Sequence, residues 1–128
     1  MINGFEFETQ PLNDYEQNLL LPVFVETLKK KVGKDNAVKN YQVVEGLTKR
    51  DYKISETRVR KLINHIRTNS LVPGLMATSD GYYIATNKEE LVEYEESLKG
   101  REDAIRAVRF SIIRQRKQMF PKVEPTLF

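Results

Sequence analysis

Three patterns predict a mainly α-helical fold with one small β-hairpin and a long C-terminal helical extension. Val59, Leu62, Ile63 and Ile66 recur at helical spacing, so they form one apolar stripe and leave Arg58, Arg60, Lys61, Asn64 and Arg67 outward or on the flanks. Leu75 to Thr86 reads as two strands around Asp80-Gly81, a dipeptide favoured in two-residue hairpin turns. Leu91, Leu98, Ile105, Ile112 and Met119 then recur at intervals of seven, with Tyr94 and Val108 at the companion position.

The elements follow in order. Phe5 and Phe7 alternate with Glu6 and Glu8 as in an edge strand or extended arm, and residues 1–12 are assigned to that arm. A first helix should run from about Asp14 to about Val32, burying Leu20, Phe24 and Leu28 and ending at Gly33 after Lys29, Lys30 and Lys31. Pro22 either kinks this helix near Asn18 or opens a second helix from its first turn. Ala37-Val38 reads as a very short strand, and Asn40 as the cap of a second helix carrying Val43, Val44 and Leu47 inward. A polar turn over Thr48 to Lys53 leads to Ser55, the expected N-cap of the basic helix. Two short helices joined by a turn, the second basic and amphipathic, make a helix-turn-helix pattern.

In the hairpin, a turn at Asp80-Gly81 pairs Ser79 with Tyr82, which puts Ala77 and Ile84 on one face and Thr78 and Tyr83 on the other. The face of Ile84 is assigned to the core and Tyr83 to the outside. These elements make a domain of residues 13–87, followed by a helical extension over 88–119 and a tail over 120–128. Thr86 or Asn87, with Glu89 or Glu90 three residues on, starts the extension. Arg101 and Gln115 interrupt the companion positions of its seam, and Gly100 permits either a continuous helix or a break with a fold-back. A continuous helix would offer a surface for a homodimer.

With 128 residues, 40% of them hydrophobic, the chain can bury one core unaided. The absence of cysteine excludes disulfides and thiolate ligands, and a single histidine leaves zinc without a ligand set. No stretch has the length and apolar character of a signal peptide or a membrane span, so the expected location is cytoplasmic, away from any membrane. Net charge is only +3 but is unevenly placed: −2 over residues 1–33, +5 over 34–70, −4 over 71–100 and +4 over 101–128. The basic blocks suit phosphates, and the acidic block between them would turn away from a polyanion.

The run from Arg58 to Arg67, leading to Gly81-Tyr-Tyr-Ile-Ala-Thr86 and an acidic helix, resembles the winged helix-turn-helix family, in the small form found in bacterial regulators and bacteriophage genes. The resemblance covers roughly residues 20–100 and departs from the common pattern in its long Thr48 to Lys53 turn. It lacks a ligand-sensing domain, so no small-molecule effector is expected. It implies binding of double-stranded DNA through the basic helix, as a transcriptional regulator or a phage replication accessory protein. On that basis Lys61, Asn64 and Thr57 would meet base edges, Arg58, Arg60 and Arg67 would suit phosphates, and Tyr83 would contact DNA from the hairpin.

Enzymatic and cofactor roles find no support in the residues. His65 has no orienting carboxylate or nucleophile legible beside it, and Glu89, Glu90, Glu93, Glu95 and Glu96 fall all around a helix instead of on one face. No glycine-rich phosphate loop or nucleophile motif is present. The expectation is therefore a non-catalytic protein without cofactor or metal, and the competing class is a protein–protein adaptor on the same scaffold.

Overall fold

Asn13 and Glu16 open the first helix reciprocally. Asn13 Oδ1 accepts from the Glu16 amide at 2.8 Å, and Glu16 Oε1 accepts from the Asn13 amide at 3.0 Å, which satisfies two amides that the first turn leaves without partners. The computed structural model describes residues 11–123, so the proposed N-terminal arm and residues 124–128 lie outside the described residues apart from Pro11 and Leu12. A π-helical turn, Glu16–Leu20, runs into helix α1, Leu21–Leu28, with Pro22 at its start. The wider turn accommodates a residue that has no amide to donate and whose ring crowds the carbonyl one turn back. Leu20, Phe24 and Leu28 are buried as expected.

Helix α1 stops at Leu28, four residues short of the expected Val32. The following backbone is drawn into a sheet: the Ile84 amide donates to Lys31 O at 2.7 Å and the Gly33 amide to Ile84 O at 2.9 Å. Lys29 to Lys31 therefore do not form the last turn of the helix. A 3-10 turn, Lys34–Asn36, leads to Val38, which exchanges two backbone hydrogen bonds with Tyr82 at 3.1 and 2.8 Å. This is the short strand anticipated at Ala37-Val38.

Helix α2, Asn40–Thr48, is capped at Lys39, whose amide donates to Gln42 Oε1 at 2.8 Å, and not at Asn40. Asn40 instead ties three elements together. Its Nδ2 donates to Glu56 O at 3.0 Å, and its Oδ1 accepts from the Tyr82 hydroxyl at 2.7 Å. Leu47 is buried, with Val43 and Val44 packed against the same core. Helix α3, Glu56–Thr68, begins at Ser55, whose Oγ accepts from the Arg58 amide at 3.2 Å. Val59, Leu62, Ile63 and Ile66 are each at most 1% exposed, so the whole stripe lies in the core and contributes about 1.5–3 kcal/mol per side chain.

Strands β1, Leu75–Thr78, and β2, Gly81–Ile84, pair antiparallel with Leu75 opposite Ile84 and Thr78 opposite Gly81. The turn is therefore Ser79-Asp80, and the expected pairing of Ser79 with Tyr82 is replaced by Ala77 with Tyr82. The cause is the approach of Val38 on the open edge of β2. A Cβ on Gly81 would lie 2.6 Å from Val38 O, and its φ is +119°, so glycine is required within the strand at this crossing. Gly81→Ala should cost about 2–3 kcal/mol through steric overlap and backbone strain. Urea unfolding should show a lower midpoint with unchanged slope.

The slip of the pairing leaves side-chain faces intact, and Tyr82 joins the core with Ile84 packed against it. Tyr83, expected outside, is also buried, at 7% exposure, directly across from buried Met76. Both faces of the hairpin are covered, so the pattern of one wet face does not apply.

The described residues divide into two compact units, one ending at Leu91 and the other beginning at Val92. Helix α4, Lys88–Met119, is continuous through Gly100. Its start matches the expected cap: the Glu90 amide donates to Asn87 Oδ1 at 2.9 Å, and the Thr86 hydroxyl donates to Glu90 Oε1. No residue of α4 is buried. No helix among the described residues is long and apolar enough to cross a membrane.

Candidate nucleic-acid interface

The buried stripe fixes which way α3 turns its remaining residues. Arg60 and Asn64 are exposed, while Thr57, Lys61 and Arg67 are partly exposed. Four of them form two local pairs. Arg60 Nη2 donates to Thr57 Oγ1 and Arg67 Nη2 to Asn64 Oδ1, each at 3.3 Å and each spanning three residues. Such bonds orient the guanidinium groups along the helix surface. Glu56, in the first turn, is the sole carboxylate of α3 and complements the helix dipole there.

Arg58 sits elsewhere. Its Nε donates to Glu16 Oε2 at 2.6 Å and its Nη2 to Glu16 Oε1 at 2.5 Å, and Nη2 also donates to Pro11 O at 3.0 Å. The two side chains are only 11% and 4% exposed. The Arg58 guanidinium holds the Glu16 carboxyl below the usual carboxylate range, against the opposing effect of burial, with the Asn13 amide and the charge of Lys61 adding to it. The Glu16 hydrogen bonds likewise raise the Arg58 pKa. Arg58 thus clamps α3 to the turn preceding α1, and the expectation that it serves as a phosphate contact is corrected.

Tyr83 is likewise withdrawn as a hairpin contact because it is buried. At the hairpin tip Asp80 pairs with Lys34 at 3.7 Å, and its amide donates to Thr78 Oγ1 at 3.1 Å. Sequence reasoning missed Asn40 and Tyr82 as the pins on the Arg60–Arg67 edge of α3. Burial raises the Tyr82 pKa, while the charges of Arg60 and Arg67 act in the opposite direction. The hydroxyl stays protonated at neutral pH and can donate to Asn40.

The helix therefore presents Thr57, Arg60, Lys61, Asn64 and Arg67 on a rigid base. Amide and hydroxyl groups can read base edges, and the guanidinium groups can make bidentate contacts with phosphates or guanine. His65 has Asn69 Nδ2 at 3.4 Å from Nδ1 as its hydrogen-bond neighbour. Among the described residues no three His, Cys, Asp or Glu side chains cluster as a metal site would need. An apolar groove between α1 and α2, lined by Val23, Phe24, Val43 and Leu47 among others, offers hydrophobic surface with few polar groups. No family model, curated protein or solved structure matches the chain.

Proposed function

We propose that this chain is a non-catalytic double-stranded DNA-binding protein of winged helix-turn-helix form, acting as a transcriptional regulator or a phage replication accessory protein. The outward face of α3 carries this reading: Thr57, Arg60, Lys61, Asn64 and Arg67 stand on one helix whose opposite side is wholly buried. The order of elements supports it. A first helix, a one-residue strand at Val38, helices α2 and α3, and then a hairpin whose second strand pairs with Val38 follow the sequence of a winged helix.

In this reading α3 enters the major groove. Lys61 donates to guanine O6 and N7, Asn64 makes a bidentate contact to adenine, Thr57 meets a thymine methyl, and Arg60 and Arg67 hold phosphates. The hairpin steadies α3 and contributes no base contact, because its tip is acidic and Tyr83 is buried. Duplexes enriched from a random pool by the full chain provide the test. Lys61→Ala and Asn64→Ala should each weaken the enriched duplex by about 1–3 kcal/mol, and Asn64→Ala, which removes no charge, should leave binding to random duplex nearly unchanged. Equal affinity of both variants and the parent for the enriched duplex would remove α3 as the reading element.

A further inference from the structure

Helix α4 leaves an apolar seam in water. Ile105, Val108 and Ile112 are 69%, 63% and 55% exposed, and Ala104, Ile105, Val108 and Arg109 line a shallow apolar groove at the centre of this stretch. Within 92–119 the flanking charges change sign along the helix. With Ile105 and Ile112 at position a of a heptad, position e holds Glu95 and Glu102, followed by Arg109 and Arg116. The other flank, position g, holds Ser97, Ala104, Ser111 and Gln118, none charged. Position e is thus acidic in its first half and basic in its second.

We propose that α4 pairs with the α4 of a second copy as an antiparallel two-stranded coiled coil, centred between Arg106 and Ala107. In that register Ile105 of one copy packs against Val108 of the other, and Tyr94 against Met119. Position e then faces position e. Glu95 meets Arg116 of the second copy and Glu102 meets Arg109, each twice by symmetry, and the g flanks meet without charge. Arg101 lies against Ile112, where its stem covers the isoleucine while its head group reaches water.

Charge decides the orientation. In a parallel pair e faces g, so Glu90 meets Glu95, the remaining e charges meet serine or alanine, and no pair of opposite sign forms. Arg101 would also face its own copy across the seam. Within one helix Glu102 already accepts from Arg106 at 3.5 Å, both side chains being more than half exposed, and a carboxylate has further lone pairs for Arg109 of the second copy. This assembly follows from α4 alone and stands independently of the DNA reading.

The full chain has no cysteine, so single cysteines report the orientation directly. Tyr94→Cys mixed with Met119→Cys should form a disulfide-linked dimer on mild oxidation, whereas Met119→Cys alone should not. Glu95→Lys with Glu102→Lys, and Arg109→Glu with Arg116→Glu, should each weaken self-association on the order of tenfold or more in sedimentation. Mixing these two variants should restore a heterodimer. A parent that sediments as a monomer at the highest attainable concentration would overturn the proposal. So would efficient cross-linking of Met119→Cys to itself, which identifies a parallel pair, or charge variants that associate as well as the parent.

Discussion

Glu16→Ala should destabilise the N-terminal unit by about 3–5 kcal/mol, because it leaves the Arg58 guanidinium buried without its carboxylate. That is a large part of the 5–15 kcal/mol typical of a whole domain. Arg58→Ala should cost a similar amount for the converse reason. The pair joins the turn before α1 to α3 over 42 residues of sequence, so its loss frees the first helix from the helix it packs beside. Replacing both at once, Glu16→Leu with Arg58→Met, should recover most of the loss, since no charge is then left buried. Urea unfolding of Glu16→Ala, Arg58→Ala and the variant carrying both alanines measures the coupling. Additive losses would mean that the two side chains act separately.

The same pair sets an acid limit. The folded-state pKa of Glu16 is lowered, so its contribution is complete above the unfolded carboxylate range and is lost as pH falls through the folded value, below that range. Stability of the parent should therefore drop at acid pH more steeply than that of the Glu16→Leu, Arg58→Met variant. Identical acid profiles would show that other carboxylates govern the loss.

What is legible in the sequence is local. Val59, Leu62, Ile63 and Ile66 declare their burial through helical spacing, and Ser55, Asn87 and Glu90 declare two helix starts, because the relevant partners lie within one or two turns. The strand at Val38 is legible only as a short apolar stretch between a loop and a helix start, because its pairing partner, Tyr82, is distant in sequence. The role of Arg58 is not, since nothing near it in sequence distinguishes a cation with a buried carboxylate partner from one in water. The hairpin register escapes a sequence reading because Asp80-Gly81 carries a turn signal, whereas Gly81 is needed for the close approach of Val38. A shift of two in the pairing sum keeps the faces right. Tyr83 reads as outward only on the premise that a hairpin has one wet face, and coverage of a second face is a tertiary fact.

Removing Arg60 and Arg67 together should be the most damaging change to DNA binding that leaves the fold intact. Both side chains are anchored by hydrogen bonds at their own helix surface, to Thr57 and Asn64, and both lie away from the Glu16–Arg58 clamp that stabilises the domain. Every phosphate that goes without its arginine forfeits counterion release, so affinity for every duplex should fall whatever its sequence. Unfolding midpoints should move little at exposed Arg60, where substitutions usually stay within about 0.5 kcal/mol, and somewhat more at Arg67, whose Nε is buried. A variant that binds poorly and also unfolds early would point to a structural role for the two arginines.

The decisive measurement is the affinity of the full chain for duplex DNA as a function of salt, by fluorescence anisotropy between about 50 and 200 mM. The parent should show a linear fall of log K against log salt, and Arg60→Ala with Arg67→Ala should reduce the magnitude of that slope by about 2, one for each phosphate no longer neutralised. Absence of duplex binding at the lowest salt, or a double variant with the parent's affinity and slope, would contradict the assignment of α3 as the DNA-binding face.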